Sequence, residues 1–124
     1  MIVLNFAHPT TDEQREQLRA LIGEYRLIEK QAQFDLEAPL APQVKRLFAE
    51  ATDGVRLSDT LRIAIVPPGY APAAAFLAAW LADAGYYVHV VRVAPVPNVT
   101  PPRFRYAEVI DVSREDEVFV REED

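Results

Sequence analysis

The stretch AIVPPGYAPAAAF, residues 64–76, sets the reading of the whole chain. It begins inside an apolar run, Leu61-Arg62-Ile63-Ala64-Ile65-Val66, that has the length and content of a buried strand. Two prolines and a glycine stop that run. After Tyr70, the alanine-rich segment from Ala71 to Ala84 reads as a helix, with Phe76, Leu77, Trp80 and Leu81 inward and Gly85 at its end. A strand that passes through a short turn into a helix is the repeating half of a parallel α/β sheet.

The same alternation extends to both sides. Ile2 to Phe6 reads as a short buried strand, and Thr11 starts a helix with Gln14 three residues on, a capping-box pattern. Leu18, Leu21 and Ile22 lie at helical spacing on one face of it, and Gly23 ends it. Tyr25 to Phe34 contains a second strand of weaker pattern. Pro42 suits the first turn of a helix whose inward stripe is Val44, Leu47, Phe48 and Ala51, closed by Asp53-Gly54. After the central stretch, Tyr86 to Val93 is apolar on both faces, as a covered strand is. A proline-rich loop, APVPNVTPPR (residues 94–103), then leads without a helix to a last strand from about Phe104 to Val112. The expected fold is a single Rossmann-like α/β domain: four parallel strands, three crossover helices and an antiparallel last strand. It occupies residues 1–112, with 113–124 as an acidic tail.

Composition narrows the function. The chain has 124 residues, half of them hydrophobic, which suits one domain with a real core. There is no cysteine, and His8 and His89 are the only histidines, so no disulfide, thiolate site or histidine metal cluster is expected. No apolar run reaches membrane-spanning length and MIVLNF does not read as a signal peptide, so a soluble cytoplasmic protein is expected, with no membrane partner. The net charge of −6 argues against binding long nucleic acid, which calls for a basic face. The tail from Arg114 to Asp124 holds six acids against two arginines. Between Thr60 and Ala107, by contrast, Arg62, Arg92, Arg103 and Arg105 face the single acid Asp83. The acidic average thus hides a locally positive half. The tail reads as a solvated end, or its Val118-Phe119-Val120 as a short edge strand or subunit contact.

Ligands of open α/β sheets sit outside the carboxyl ends of the strands. Three proline-rich loops leave those ends, and they carry the candidate residues. In Pro67 to Pro72, Gly69 lets a ligand approach the backbone, the following helix start favours an anion, and Tyr70 suits stacking on a base or bonding a phosphate. The same residues also suit a rigid turn with Pro72 as first helical residue and Tyr70 packed on a neighbour. His8 suits a phosphate contact or a general acid, or simply fixes its own turn. Asn5, inside an apolar strand, must find partners for its amide, whether a ligand or a loop. His89 reads as a satisfied core residue. Arg103 suits bidentate contact with phosphate, with Asn98 and Thr100 as hydrogen-bonding neighbours, and equally suits a surface arginine next to the acidic tail. The three-glycine dinucleotide fingerprint is absent, and no cofactor is expected.

LNFAHPTT (residues 4–11), PPGYAPAAA (67–75) and PVPNVTPPRF (95–104) together resemble the small ancillary proteins of type III CRISPR loci, in the Csx group, family number fifteen. The likeness spans Met1 to about Val112 and departs at Ala7, where serine is common in the family. The resemblance implies a Rossmann-like fold related to the CARF sensor domains and a homodimer that handles cyclic oligoadenylate, the tetra-adenylate ring above all. It implies roles for His8, Gly69, Tyr70, Thr100 and Arg103, and sets a messenger-binding sponge against a ring nuclease. An interaction protein that binds no nucleotide is the third class. Binding with sequestration is the leading expectation, because no catalytic base is evident; His8 is the catalytic candidate if the ring is cleaved.

Overall fold

The computed structural model describes residues 1–113, so the expectations for the tail from Arg114 onward lie outside the described residues. The elements are β1 (Ile2–Asn5), α1 (Asp12–Ile22), β2 (Arg26–Glu29), α2 (Leu40–Ala51), β3 (Arg62–Val66), α3 (Ala71–Asp83), β4 (Tyr87–Pro95) and β5 (Phe104–Asp111). The five strands form one sheet in the order β2-β1-β3-β4-β5. The first four run parallel and β5 runs antiparallel to β4, as the missing fourth helix requires. No helix among the described residues is long and apolar enough to cross a membrane.

Local chemistry sets the helix ends. Thr11 Oγ1 accepts from the Gln14 amide at 3.1 Å while Gln14 Oε1 accepts from the Thr11 amide at 3.0 Å, so the capping box is formed in full. Gly23 closes α1 at a φ of 76°, a conformation that favours glycine. Neither α2 nor α3 has a side-chain cap. Ala71 is the first residue of α3, so Pro72 is its second rather than its first. Ala84 caps α3, and Gly85 follows it at a φ of 97°.

β1 lies between two parallel neighbours, with Asn5 beside Glu29 of β2 and Val66 of β3. The chain leaves β1 toward β2 through α1, then crosses back over β1 to β3 through α2. The direction of winding therefore reverses at β1 and β3, and the loops that leave those strands diverge there. In open α/β sheets this is where ligands bind.

Period-two alternation divides the core. Ile2, Leu4, Ile63, Ile65 and Val88 face α2 and α3, meeting Val44, Leu47, Phe48, Leu77 and Leu81. Val3, Ala64, Val66, Val91 and Tyr106 face α1, where Leu18 is the one fully buried helix residue. Leu21, expected inward, is 42% exposed. In the last turn of α1 it is Ile22 that packs on this face, and Leu21 beside it turns outward.

β4 is not covered along its whole length as its apolar pattern suggested. Val88 and Val91 are buried, but Arg92 and Val93 are exposed, since no helix follows β4 to shield its second half. The β4–β5 ladder changes register between Arg92 and Val93: Arg92 pairs with Glu108 and Val93 with Tyr106, which leaves Ala107 as an extra residue. A bulge of this kind bends the ribbon and re-aims side chains. Here it lets both Val109 and Tyr106 face α1. Two glutamines of α1 fix the result, with Gln14 Nε2 donating to the Phe104 carbonyl at 2.9 Å and Gln17 Oε1 accepting from the Tyr106 amide at 2.7 Å.

His89 is buried as expected but not satisfied, because its Nδ1 has no hydrogen-bond partner among the described residues. Its Nε2 lies 3.8 Å from the Asp111 carboxylate, across the β4–β5 pair. Burial lowers the His89 pKa from its ordinary 6.5, and the carboxylate opposes that shift only in part.

Candidate functional site

A cleft of about 420 Å³ opens at the carboxyl edge between the β1–α1 loop, the first turn of α1 and the start of β5. Val66, Val93 and Tyr106 line it from the sheet, Ala7, His8 and Pro9 from the first loop, and Pro102, Arg103 and Phe104 from the last. Glu13 and Gln14 contribute from α1. Its size falls within the range of about 300–1,000 Å³ typical of small-molecule sites. The cleft exists because the bulge and the two glutamine bonds draw β5 onto α1 while the proline-rich loop stands off.

Asn5 builds the first wall. Its Nδ2 donates to the His8 carbonyl and to Glu29 Oε2, both at 2.8 Å, and its Oδ1 accepts from the Ala7 amide at 3.0 Å. Glu29 Oε2 also accepts from the Thr10 amide at 2.7 Å, and Arg15 donates to the Thr10 carbonyl. Asn5 is therefore a positioning residue that folds the His8 turn, and both its amide hydrogens are already in use. His8 itself is exposed and lines the cleft, and no side chain among the described residues orients its imidazole.

Arg103 reaches the same cleft, with Nη1 3.7 Å from Glu13 Oε2 and both side chains more than half exposed. The Tyr106 phenol on the sheet side has its pKa pushed up to about 12, first by burial and then by Glu29 and Tyr25. It remains a neutral donor at physiological pH.

Gly69 and Tyr70 do not join this cleft. With Ala32, Phe34, Leu36 and Pro68 they line a second groove of about 320 Å³, between the β2–α2 and β3–α3 loops. Phe34 and Tyr70 meet there as tilted rings 6.2 Å apart. Gln43 holds the near loop by accepting from the Asp35 amide and donating to the Asp35 and Pro39 carbonyls. Gly69 has no positive φ, and a Cβ built on it meets nothing within 4 Å. The start of α3 offers less than a helix terminus usually does, since Pro72 has no N–H and the Ala73 and Ala74 amides both donate to the Tyr70 carbonyl. Free donors remain at the Gly69, Tyr70 and Ala71 amides, which have no protein acceptor among the described residues.

Asn98 and Thr100 lie in the exposed β4–β5 loop, outside the residues that line the cleft. Asn98 takes a left-handed φ of 57°, and Thr100 precedes a cis proline. The locally positive half also changes once folded. Glu108 pairs with Arg92 at 2.6 Å, Glu13 approaches Arg103, and Arg62 stands at the opposite end of its strand, over the Tyr87 ring.

Glu13, Glu29, Val93, Phe104 and Tyr106 were not singled out from the sequence. The first-turn position of Glu13 and the alternation of Phe104 with Tyr106 were readable signals. The bulge that brings them together was not. Among the described residues no group of three or more His, Asp or Glu side chains is placed to hold a metal ion. No family model matches the chain, and neither a curated protein nor a solved structure does.

Proposed function

We propose that the chain binds a cyclic oligoadenylate second messenger, the tetra-adenylate ring in the first instance, and lowers its free concentration by holding it across a homodimer. One observation carries the reading. The three stretches that resemble the CRISPR ancillary proteins are far apart in sequence, yet all leave the same carboxyl edge of the sheet, on either side of the winding reversal. That edge carries the cleft beside β5, the groove beside Tyr70, free amides at Gly69, Tyr70 and Ala71, and the exposed His8 ring. A four-phosphate ring has twofold symmetry, and two copies of this edge related by a twofold axis would match it.

Sequestration stands ahead of turnover because the His8 imidazole lacks the orienting partner that catalytic bases have. The ring-nuclease reading draws on a different observation, that His8 and Arg103 share one cleft. In that reaction a ribose 2′-hydroxyl gives its proton to water as its oxygen bonds to the adjacent phosphorus, the bond from phosphorus to the 5′-oxygen breaks, and His8 as general acid delivers a proton to the leaving oxygen.

Labelled cyclic tetra-adenylate mixed with excess protein tests the choice. Intact ring recovered after denaturation supports sequestration, and linear product ending in a 2′,3′-cyclic phosphate supports cleavage. Arg103→Ala should weaken binding by about 1.5–3 kcal/mol while leaving the thermal midpoint nearly unchanged, since exposed ion pairs contribute about 0–1 kcal/mol. Failure of the protein to retain any ring leaves the non-nucleotide interaction protein.

A further inference from the structure

The cleft at the start of β5 is poorly built for a phosphate. Its walls are mostly apolar, and Arg103, which lines it, already faces the Glu13 carboxylate at 3.7 Å. A phosphate drawn to Arg103 would meet that carboxylate. Two further features need an occupant. Phe104 and Val93 are large apolar side chains left 54% and 40% exposed, and both line this cleft rather than the outer surface. Across from them Gln14 Oε1 accepts from the Thr11 amide and its Nε2 donates to the Phe104 carbonyl, and Glu13 and Arg103 form an exposed acceptor–donor pair in the cleft lining.

We infer that this cleft is a pocket for an amino-bearing nucleobase, with Phe104 and Val93 against the ring face and the Arg103–Glu13 pair reading its edge. A donor beside an acceptor complements a ring nitrogen beside an exocyclic amine. Arg103 donates to the nitrogen and Glu13 accepts from the amine, as in adenine or cytosine. A keto base such as hypoxanthine, stacked in the same orientation, places a carbonyl where the amine stood and turns an N–H toward Arg103, so both contacts are lost unless the ring turns over. Stacking on Phe104 is tolerant of base type, because every base has a π-face. Selectivity therefore belongs to the pair. A cleft of about 420 Å³ has room for one nucleoside.

The inference refines the messenger reading by assigning a base to the cleft, and leaves phosphates to the free amides of Gly69, Tyr70 and Ala71. It does not depend on the ring. The test is a nuclear magnetic resonance titration of the isotope-labelled full chain with adenosine and with inosine. Adenosine should saturably shift the signals of Val66, Val93, Phe104 and Tyr106, and inosine should bind at least about tenfold more weakly, the loss expected for one mispaired base edge. Glu13→Ala should abolish that preference. Equal affinity for the two nucleosides in the unmodified protein overturns the proposal. So does tighter binding of both by Glu13→Ala, which would make Glu13 a mere competitor for Arg103. Absence of any saturable shift in the cleft overturns it too, whatever cyclic tetra-adenylate does. Cleft shifts with adenosine in a protein that ignores the cyclic ring would instead support the pocket and reject the messenger.

Discussion

Asn5 is 1% exposed, and its amide joins the β1 end to the His8 turn and to Glu29 on β2. Removing the amide leaves the Glu29 carboxylate short of one donor and the His8 carbonyl and Ala7 amide without their partner. Asn5→Ala should therefore destabilise the fold by about 1–3 kcal/mol, measured by denaturant unfolding. Any loss of ligand binding should follow from the collapsed turn. Gly69 makes the opposite case. Its backbone is open to any residue and the space beside it is empty, so Gly69→Ala should leave stability unchanged or raise it by about 0.4–1 kcal/mol. If a phosphate sits on the amides of this turn, the added methyl should weaken binding while the melting temperature holds or rises. A fall in stability without a change in binding would make the glycine structural. Sequence alone marked both residues as informative, and the direction of each became legible only with the hydrogen bonds and the empty space in view.

At the scale of elements, the alternation of strands and helices was legible because each run has a clear period and punctuation. The Thr11–Gln14 capping box, the inward stripe of α2 and the lone antiparallel strand all follow from local chemistry. The grouping of the loops was not legible. The residue that decides it is Ala107, whose insertion into β5 turns Tyr106 toward α1, and nothing in its own sequence context announces a bulge. The β4–β5 ribbon also carries a pH dependence. His89 faces Asp111 across the ladder, with Arg62 adding to the lowering, and its folded pKa lies below the ordinary 6.5. Its unfolded form binds a proton more readily than its folded form. The contribution to stability is thus full above about pH 6.5 and is lost as pH falls from there through the lowered folded value. Unfolding free energy should decline over that window, and His89→Gln should flatten the decline. An unchanged slope in the variant would place the acid sensitivity elsewhere.

At the scale of the whole molecule, the carboxyl edge of one chain offers, among the described residues, the cleft beside β5 and the groove beside Tyr70, both of modest size. Neither groove alone surrounds a ring with four phosphates. The account therefore requires two chains per ring, each giving one base cleft and one set of free amides. Free protein should accordingly sediment at twice the 14.0 kDa chain mass, or reach it on adding messenger. The most direct measurement is a calorimetric titration of the purified full chain with cyclic tri-, tetra- and hexa-adenylate. The account predicts that the tetra-adenylate ring binds tightest, with one ring taken up for every two chains. Failure of all three rings to bind would contradict it.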